Sequence, residues 1–598
     1  MIKPWYKMTG LQVIYSIART GHLSIENIVV KGDYIMGILR KMKSSVQLDN
    51  ILNIVQILIL TFAIELLLST LVFLLGASIS WYFLFISFGI SIIICEMINS
   101  NHVSCYDILM AMAIVVIFSW ISGEFFDGTV DGNLYHKLAV GLLKNHWNPF
   151  QQMPSLSLTE GAGVESSNSV LWVETYCKVT WIFGASVYAI TGNIETGKSY
   201  TMIAMTCLFM LVFYYMMKMG NDVRKAIIMA CVASFSPIAI QQMFSYYVDG
   251  FMHVMLMLLV LSLLMLRNRK IFEVKTSISL VVASMIICGN IKFTGLLYGG
   301  IFCIAYYLLD CLTYIKTDKE WKQKVLNESF WYFILAIVTV VWGGSTSYIT
   351  NFIRHGSLTY PLTGEGKVDI MTGNSPFTEE NHFKNLFLSM FSRVDNFTIA
   401  TGKSTELKIP FTFNKDEVSM LVIPDARISG FGVIFGGLLI AAILVISVWL
   451  IFSGRNDKRI IIIMNFAVCI ALMFGIKESW WARYSPYIYM LLPIAMYLAI
   501  ENNKKYVKIC SLIFFVLIMF NNCLPLKYIG DSYKYNRTIE AEFLNLKNNG
   551  VVEICNEGLH GVYYNFKDYN IYYYINNELA DEDDVNVLNY VGTLYRIP

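Results

Sequence analysis

The sequence predicts an all-α polytopic membrane protein with about 13 transmembrane helices, since each span takes ~20 mostly apolar residues. Hydrophobic residues make up 56% of the 598 residues, and charged residues make up only 15%. Soluble domains hold roughly 45–50% apolar and about 25% charged residues, so the apolar excess indicates burial in lipid. Apolar runs of spanning length also recur along most of the chain, as a bundle of spanning helices requires.

These apolar runs define the expected elements in chain order. We expect spans near 51–76, 79–98, 107–123, 198–217, 226–244, 250–266, 276–290, 294–311, 330–349, 430–453, 460–476, 484–500 and 507–523. The net charge of +2 gives no reason to expect a nucleic-acid partner. The 12 cysteines are scattered without a CxxC pair, which argues against a disulfide framework and against a zinc site.

Basic residues set the expected orientation, because Lys and Arg accumulate in the cytoplasmic loops of membrane proteins. Under the expected spans, every basic loop falls on one side. These loops are the N-terminal segment and those around 224–225, 267–275, 316–324, 455–459 and 504–508. The loop NSNHVSCYD carries no Lys or Arg and so adds nothing to the assignment. We therefore expect a multi-pass protein of the cell membrane with a cytoplasmic N-terminus and an extracytoplasmic C-terminus.

The chain divides into three regions of different character. Residues 1–50 are basic and lack the apolar core of a signal peptide, which indicates a cytoplasmic segment. Residues 51–525 hold the spans and two long extracytoplasmic loops, 124–197 and 350–429. The tail, 526–598, is expected to form a small extracytoplasmic α/β module. In it, TIEAEFLNLKNNG has the pattern of a helix that stops at glycine, and VVEICN and NIYYYIN have the pattern of strands.

The loop 124–197 is too polar to span a membrane. Two stretches in it, DGNLYHKLAVGLLKNHW and LWVETYCKVTWIFGASVYAI, suit helices that lie in the membrane interface. We expect Trp147, Trp172 and Trp181 at the depth of the lipid headgroups. The Gly/Ser-rich stretch SLTEGAGVESSNS separates the two helices.

Two acidic residues, Asp127 and Asp131, follow the third expected span, and Tyr135 and His136 come next. If 131–146 is helical, Asp131 and Tyr135 lie on one face, four residues apart. One interpretation is that an Asp here caps the helix. The other is a general base, because a carboxylate partly removed from water gains basicity and can accept a proton from a hydroxyl group.

Two basic residues lie in unusual surroundings on the same expected face. Lys292 in CGNIKFTG interrupts an apolar stretch and either extends to the interface from a helix end or contacts a phosphate. Arg483 in WWARYSP belongs either to an aromatic belt or to a phosphate site, since guanidinium pairs well with phosphate oxygens.

Further polar residues complete the candidates on this face. Asp249 in YYVDG either belongs to a simple turn or positions a sugar or a metal. Asp425 and Arg427 either form a local ion pair or belong to the site. His355, Tyr360 and Asp369 are additional hypotheses. Acids and histidines are too dispersed along the chain to indicate a dedicated metal site.

These residues resemble the GT-C superfamily of polytopic membrane glycosyltransferases. The stretch DGNLYHKLAVGLLKNHWNP, which begins at Asp131, is similar to the Asp-x-x-x-Tyr-His first-loop motif of bacterial members akin to the protein O-mannosyltransferase and aminoarabinose transferase families. WWARYSP is similar to an outer-face Arg motif near a late helix of such proteins. The shared architecture covers residues 100–523. Two departures stand out: three spans precede the acidic loop, where many members have one, and the two acids are four residues apart, which leaves open which one is catalytic.

The resemblance implies a GT-C-like bundle and a sugar donor carried on a polyprenyl phosphate or pyrophosphate in the lipid bilayer. It implies transfer to a cell-surface glycan or a lipid-linked acceptor, with inversion at the anomeric carbon. In this interpretation Asp131 is the base and Asp127 supports it or binds the acceptor. Lys292 and Arg483 hold the donor phosphate. The sugar and acceptor site is lined by Tyr135, His136, Asp249, Tyr247 and Trp481. No cofactor is certain; a divalent cation, Mg²⁺ or Mn²⁺, is the candidate, and no metal ligand is assigned.

Two other classes of protein compete with this interpretation. A transporter or flippase for lipid-linked glycans keeps its ionisable residues near the middle of the bilayer, often within inverted repeats. Here those residues gather at one expected face and no internal repeat is visible, which favours an enzyme. The third class is a non-catalytic membrane receptor or assembly factor that binds its partner through the loop 350–429 and the tail.

Overall fold

The computed structural model is mostly helical, because a backbone in an apolar environment satisfies its hydrogen bonds best within helices. The structure describes residues 48–154, 167–369, 375–377, 381–396, 405–454, 456–502, 504–556, 558–582 and 585–597. Most of the basic segment 1–50, and residues 155–166 of the Gly/Ser-rich stretch, lie outside these described residues. Residues Leu52–Pro598 belong to one compact unit, and this unit contains all the candidate site residues.

Ten helices of the described chain are long and apolar enough to cross a membrane, which supports a multi-pass membrane protein. They are Leu48–Leu74, Cys105–Gly123, Ile194–Lys218, Asp249–Arg267, Val274–Ile291, Phe293–Thr317, Trp321–Gly343, Phe435–Phe452, Asp457–Gly475 and Lys505–Asn548. Three shorter apolar helices accompany them: Tyr82–Ile98, Val179–Thr191 and Pro486–Ile500. The ten long helices, with the three shorter ones, support the expected helical membrane bundle, while the expected number of about 13 spans stays a prediction.

Shorter elements lie within these helices, connect them or cover them. The helices are Lys137–Lys144, Ser167–Thr175, Val223–Ser234, Pro237–Gln242, Thr350–His355, His382–Phe391, Lys415–Met420 and Val562–Asp568. Segments Gly132–His136, Val338–Gly343 and Ser345–Ile349 are π-helical. Single 3₁₀ turns lie at Ile194–Lys198, Lys477–Trp480, Ala482–Tyr484, Leu524–Tyr528 and Asn577–Asp581.

The expected span at 226–244 is wrong, because two helices share this stretch. The first helix ends at Ser234, and Ser236 caps the second by accepting a hydrogen bond from the Ala239 amide at 3.3 Å. Pro237 occupies the first helical position, where its missing N–H costs little, but it cannot continue the preceding helix.

The helix Val179–Thr191 is also placed differently from the expectation. Trp181 is 1% exposed and Trp147 is likewise 1% exposed, so both rings pack inside the protein and do not face lipid headgroups. Thirteen residues are too few to span a bilayer alone. The sequence of the helix is apolar because most of its side chains are buried within the protein.

The tail forms the expected helix and sheet. The helix Ile529–Asn548 precedes strand β1, Val551–Cys555, and β2, Tyr572–Ile575, pairs with β1 in parallel. Two strands were missed because they are only two and three residues long: β3, Asn586–Val587, and β4, Leu594–Arg596. They complete a four-stranded sheet in the order β2-β1-β4-β3.

The tail packs closely against the loop that follows the Cys105–Gly123 helix. Phe126 lies 5.3 Å from the ring of Phe543 and 5.4 Å from that of Tyr590. A Cβ added to Gly141 would lie 2.2 Å from the Tyr564 ring, so glycine is required for this approach. The tail is therefore part of the wall that surrounds the candidate site.

Candidate functional site

A cavity of about 1080 Å³ lies where the polar helix ends meet. Its lining comes from segments 125–135, 172–176, 241–247, 292–298, 362–369, 396, 422–427, 476–484 and 532–536. The sequence predicted that the first loop, the later helix ends, the 350–429 loop and the tail share one face. Residues from all four of these regions line the cavity.

The backbone just before the Gly132–His136 segment places Asp131 at the cavity wall. Thr129 caps this turn, because its hydroxyl accepts a hydrogen bond from the Gly132 amide at 3.1 Å. Asp131 makes no capping hydrogen bond, so the interpretation of Asp131 as a helix cap is wrong. Its side chain is 25% exposed, and its Oδ2 accepts a hydrogen bond from Nη1 of Arg483 at 3.1 Å.

Arg483 is the centre of a cluster of three carboxylates. Besides Asp131, its guanidinium lies 3.5 Å from Oδ2 of Asp249 and 3.0 Å from Oδ1 of Asp425. Burial opposes its charge, but the neighbouring Asp425 and other anions hold the pKa of Arg483 above its usual value. Burial also raises the pKa of Asp131, and Arg483 opposes that change. Asp131 is therefore a stronger base than a solvated Asp and remains next to a fixed cation.

Aromatic rings surround the guanidinium of Arg483. Its central carbon lies 4.6 Å from the ring of Tyr247, 5.0 Å from that of Trp481 and 4.9 Å from that of Tyr484. Trp481 is 1% exposed, and its Nε1 donates to Asp425 Oδ1 at 3.2 Å. These rings fix the cation by cation–π contact, and the alternative of a lipid-facing aromatic belt is wrong.

Lys292 lies at the break between the helices Val274–Ile291 and Phe293–Thr317, where the backbone is extended. Its ammonium group pairs with Oδ1 of Asp249 and lies 3.9 Å from the centre of the Tyr484 ring. With 11% of its side chain exposed, Lys292 is held within the protein. The alternative that Lys292 extends to the membrane interface is wrong.

The predicted sugar-site residues occupy two kinds of position. Tyr135, Tyr247 and Trp481 line the cavity. Asp249 lies behind Lys292 and Arg483 and pairs with both cations.

His136 is 1% exposed, and its Nδ1 accepts a hydrogen bond from Nε1 of Trp181 at 2.8 Å. Burial lowers the pKa of His136 to about 3, so the ring is neutral. The expectation that His136 lines the site is corrected to a position behind its wall.

Asp127 also touches the cavity wall, but its carboxylate is committed to the backbone. Oδ2 accepts from the Tyr246 amide at 2.8 Å, and Oδ1 accepts from the Thr129 amide at 3.0 Å. The side chain holds the first loop against the turn before the Asp249–Arg267 helix. This position differs from that of Asp131, whose carboxylate faces a cation and the cavity.

Sequence reasoning missed a second charged cluster directly beneath the first loop. Glu195 pairs with Nζ of Lys137 at 2.7 Å and with Lys198, and all three side chains are at most 1% exposed. Asn565 and Tyr590 from the tail complete the cluster. Asn565 donates to Glu195 Oε1 at 2.8 Å, and the Tyr590 hydroxyl lies 3.3 Å from the same oxygen. The signal was present in NIETGKSY, which places two charges directly before an apolar run.

The residues fit a divalent cation poorly. Within the described part of the chain, no group of three His, Cys, Asp or Glu side chains is arranged to hold a metal ion. The three carboxylates nearest each other in the cavity, Asp131, Asp249 and Asp425, converge on a guanidinium instead.

A scan against protein-family models matches no family, and a search of curated proteins gives no match. The fold and the site define a helical, multi-pass membrane protein with a charged, aromatic-lined cavity.

Proposed function

We propose that the protein is a membrane glycosyltransferase that moves a sugar from a polyprenyl-linked phosphate or pyrophosphate donor to a hydroxyl group of a cell-surface glycan or lipid-linked acceptor. The observation that carries the proposal is the Asp131–Arg483 pair at the wall of an aromatic-lined cavity. A carboxylate base and a guanidinium phosphate ligand are the two groups that this transfer needs.

The cations of the cluster already have carboxylate partners before any ligand binds. Arg483 is shared by three carboxylates, Lys292 pairs with Asp249, and Arg427 Nη2 pairs with Asp425 at 2.8 Å. A phosphate that binds Arg483 must therefore displace a carboxylate. Asp131 is the most exposed of the three, at 25% against 18% for Asp425 and 3% for Asp249, so water compensates best for its release.

This exchange couples donor binding to activation of the base. Once phosphate takes its place on Arg483, Asp131 loses its cationic partner and gains basicity. It accepts the proton of the acceptor hydroxyl as the oxygen attacks the anomeric carbon. The bond from that carbon to the phosphate oxygen breaks, the phosphate keeps the electron pair, and Arg483 and Lys292 stabilise its charge. Attack opposite the leaving phosphate inverts the anomeric centre.

The purified protein in liposomes that contain a polyprenyl-phosphate sugar tests this proposal. We expect polyprenyl phosphate to be released when an acceptor glycan is supplied, and we expect Asp131→Asn to release it at a rate lower by ~10²-fold. Movement of the intact donor between leaflets without release would identify a transporter. Donor or glycan binding without either process would identify a receptor.

We further propose that the cavity faces the extracytoplasmic side, because the basic loops lie at the opposite helix ends. Single cysteines at Glu365 and Lys534 should react with a membrane-impermeant thiol reagent on intact cells, while cysteines at Lys270 and Lys319 should not. The background should carry serine in place of Cys105 and Cys510, which are exposed. Labelling of the second pair and not of the first would reverse the orientation.

A further inference from the structure

The first loop directs much of its backbone hydrogen bonding toward the C-terminal tail. The Asn133 carbonyl accepts from the Gly561 amide at 2.7 Å. The Asp127 carbonyl accepts from the Tyr590 hydroxyl at 2.9 Å. The Phe126 amide donates to Oδ1 of Asn536 at 2.5 Å. These contacts lie on both sides of Asp131, so the tail holds the segment that presents this side chain.

Tyr590 joins the loop to the buried cluster of Glu195. Its hydroxyl has one proton, and the nearest acceptor is the Asp127 carbonyl. The Tyr590 hydroxyl oxygen in turn accepts a hydrogen bond from Lys137, whose ammonium group also pairs with Glu195. Tyr590 is 1% exposed, so an unpaired group left by its loss could not be satisfied by bulk water. One tail residue thus connects the loop backbone to a buried ion pair.

We infer that the tail is a positioning element of the site and that Tyr590 is a positioning residue for Asp131. Tyr590 does not reach the Arg483 cluster and acts through the backbone between Asp127 and Asn133. Asp131 must stay within hydrogen-bond reach of Arg483, and a displacement of about 1 Å can cost catalysis ~10²-fold. The catalytic part of the inference rests on the proposed function, whereas the structural part does not.

The chain offers a matched control for Tyr590. Tyr564 is also a buried tyrosine of the tail, 2% exposed, and its hydroxyl takes no part in the network around Glu195. Tyr590→Phe and Tyr564→Phe remove the same atom from the same module. A difference between the two variants therefore reports the hydrogen bonds that the Tyr590 hydroxyl makes with the loop and with Lys137, and not the general cost of removing a hydroxyl group.

Backbone amide hydrogen exchange of the full chain in detergent tests the structural part. In Tyr590→Phe we expect the amides of 126–136 to exchange faster by at least about tenfold, while the Tyr564→Phe variant exchanges as the wild type does. Equal exchange rates in Tyr590→Phe and the wild type would overturn the inference. If Tyr590→Phe does not fold, Gly561→Ala tests the other side of the tail–loop contact, because its Cβ would lie 2.8 Å from the Asn133 Cα.

Transfer kinetics test the catalytic part. We expect kcat to fall about tenfold in Tyr590→Phe with the donor KM within about twofold of the wild-type value, because the base moves while the donor ligands stay. A rise in KM at constant kcat would contradict positioning of Asp131. Faster exchange in a protein that shows no transfer in any variant would refute the proposed function and leave the structural inference intact.

Discussion

The first loop contributes to two charged clusters, which differ in their exposure and in their access to the cavity. Asp131 belongs to the cluster around Arg483 and has a side chain that is 25% exposed. Asp127, four residues earlier, lies next to the cluster around Glu195, whose carboxylate is 1% exposed. The first cluster lines a cavity, and the second is enclosed between the loop, a helix start and the tail.

The hydrogen bonds of the two clusters show the same difference. Both oxygens of Glu195 have close donors, from Lys137, Asn565 and Lys198. Nε of Arg483 lies 3.0 Å from an oxygen of Asp425 yet makes no well-directed hydrogen bond within the described chain. The cluster with saturated hydrogen bonds suits a structural role. The Arg483 cluster has a hydrogen-bond donor left over and lies beside a cavity, which suits the exchange of a carboxylate for a ligand.

The largest effect should come from breaking the enclosed cluster. Glu195→Gln removes the charge that compensates two buried ammonium groups, and loss of one partner of a buried pair costs about 3–5 kcal/mol. We expect a large fall in folded yield and in the thermal unfolding midpoint in detergent. The control is Glu540→Gln, which removes a part-exposed ion pair with Arg537 and should cost under about 1 kcal/mol. Equal stability of the Glu195→Gln and Glu540→Gln variants would contradict a structural role for Glu195.

The two aspartates of the loop should respond in opposite ways. Asp131→Asn should lower turnover by ~10²-fold, because an amide cannot accept the proton. Its unfolding midpoint should change little, because Arg483 keeps Asp249 and Asp425 as carboxylate partners. Asp127→Asn should lower the unfolding midpoint by an amount equivalent to about 1–3 kcal/mol, because its amide group would face a backbone donor. Its effect on turnover should be smaller than that of Asp131→Asn. Equal losses of turnover in the two variants would contradict the assignment of Asp131 as the base and Asp127 as a structural residue.

The sequence could predict which segments meet at the cavity, but not which acid faces which cluster. Apolar periodicity and basic loops placed Asp131, Lys292 and Arg483 at helix ends on one face. The cap contributed by Thr129 and the π-helical backbone of Gly132–His136 decide the direction of the Asp131 side chain, and neither has a clear sequence signature.

The contacts of the tail with the first loop could not be predicted from the sequence either. The helix and two strands of 526–598 were predictable from their residue patterns, whereas the contact of Tyr590 with Asp127 joins residues 463 positions apart. Such a contact depends on tertiary packing and leaves no local pattern. The burial of Trp147 and Trp181 was missed for the same reason, because amphipathic Trp-containing stretches look alike at a lipid interface and inside a bundle.

Replacement of the central cation should have an intermediate effect. Arg483→Lys keeps the charge but loses the planar pair of donors, so we expect turnover lower or donor KM higher by at least about tenfold, or ~1.4 kcal/mol. Lys292→Ala should act in the same direction if both residues hold one phosphate. The matched control is Arg354→Lys, which changes an ion pair with Glu174 outside the cavity lining. Wild-type kinetics for Arg483→Lys would contradict a paired contact between the guanidinium and the phosphate.

The smallest expected effect is a shift of the pH–rate profile. The base acts when it is deprotonated, so activity is lost as the pH falls through the pKa of Asp131, which burial raises above its usual value. The charge of Asp425 raises this pKa further, while Arg483 lowers it. Asp425→Asn removes the repulsion and leaves Arg483 more available to Asp131. The acid limb of the kcat/KM profile should therefore move to lower pH, by under about one unit.

The control is Asp416→Asn, which changes an exposed acid of the same loop and should leave the acid limb in place. Movement of the limb to higher pH in Asp425→Asn would mean that Asp425 serves chiefly to hold Arg483 against Asp131, and an unmoved limb would mean that Asp131 is not the base.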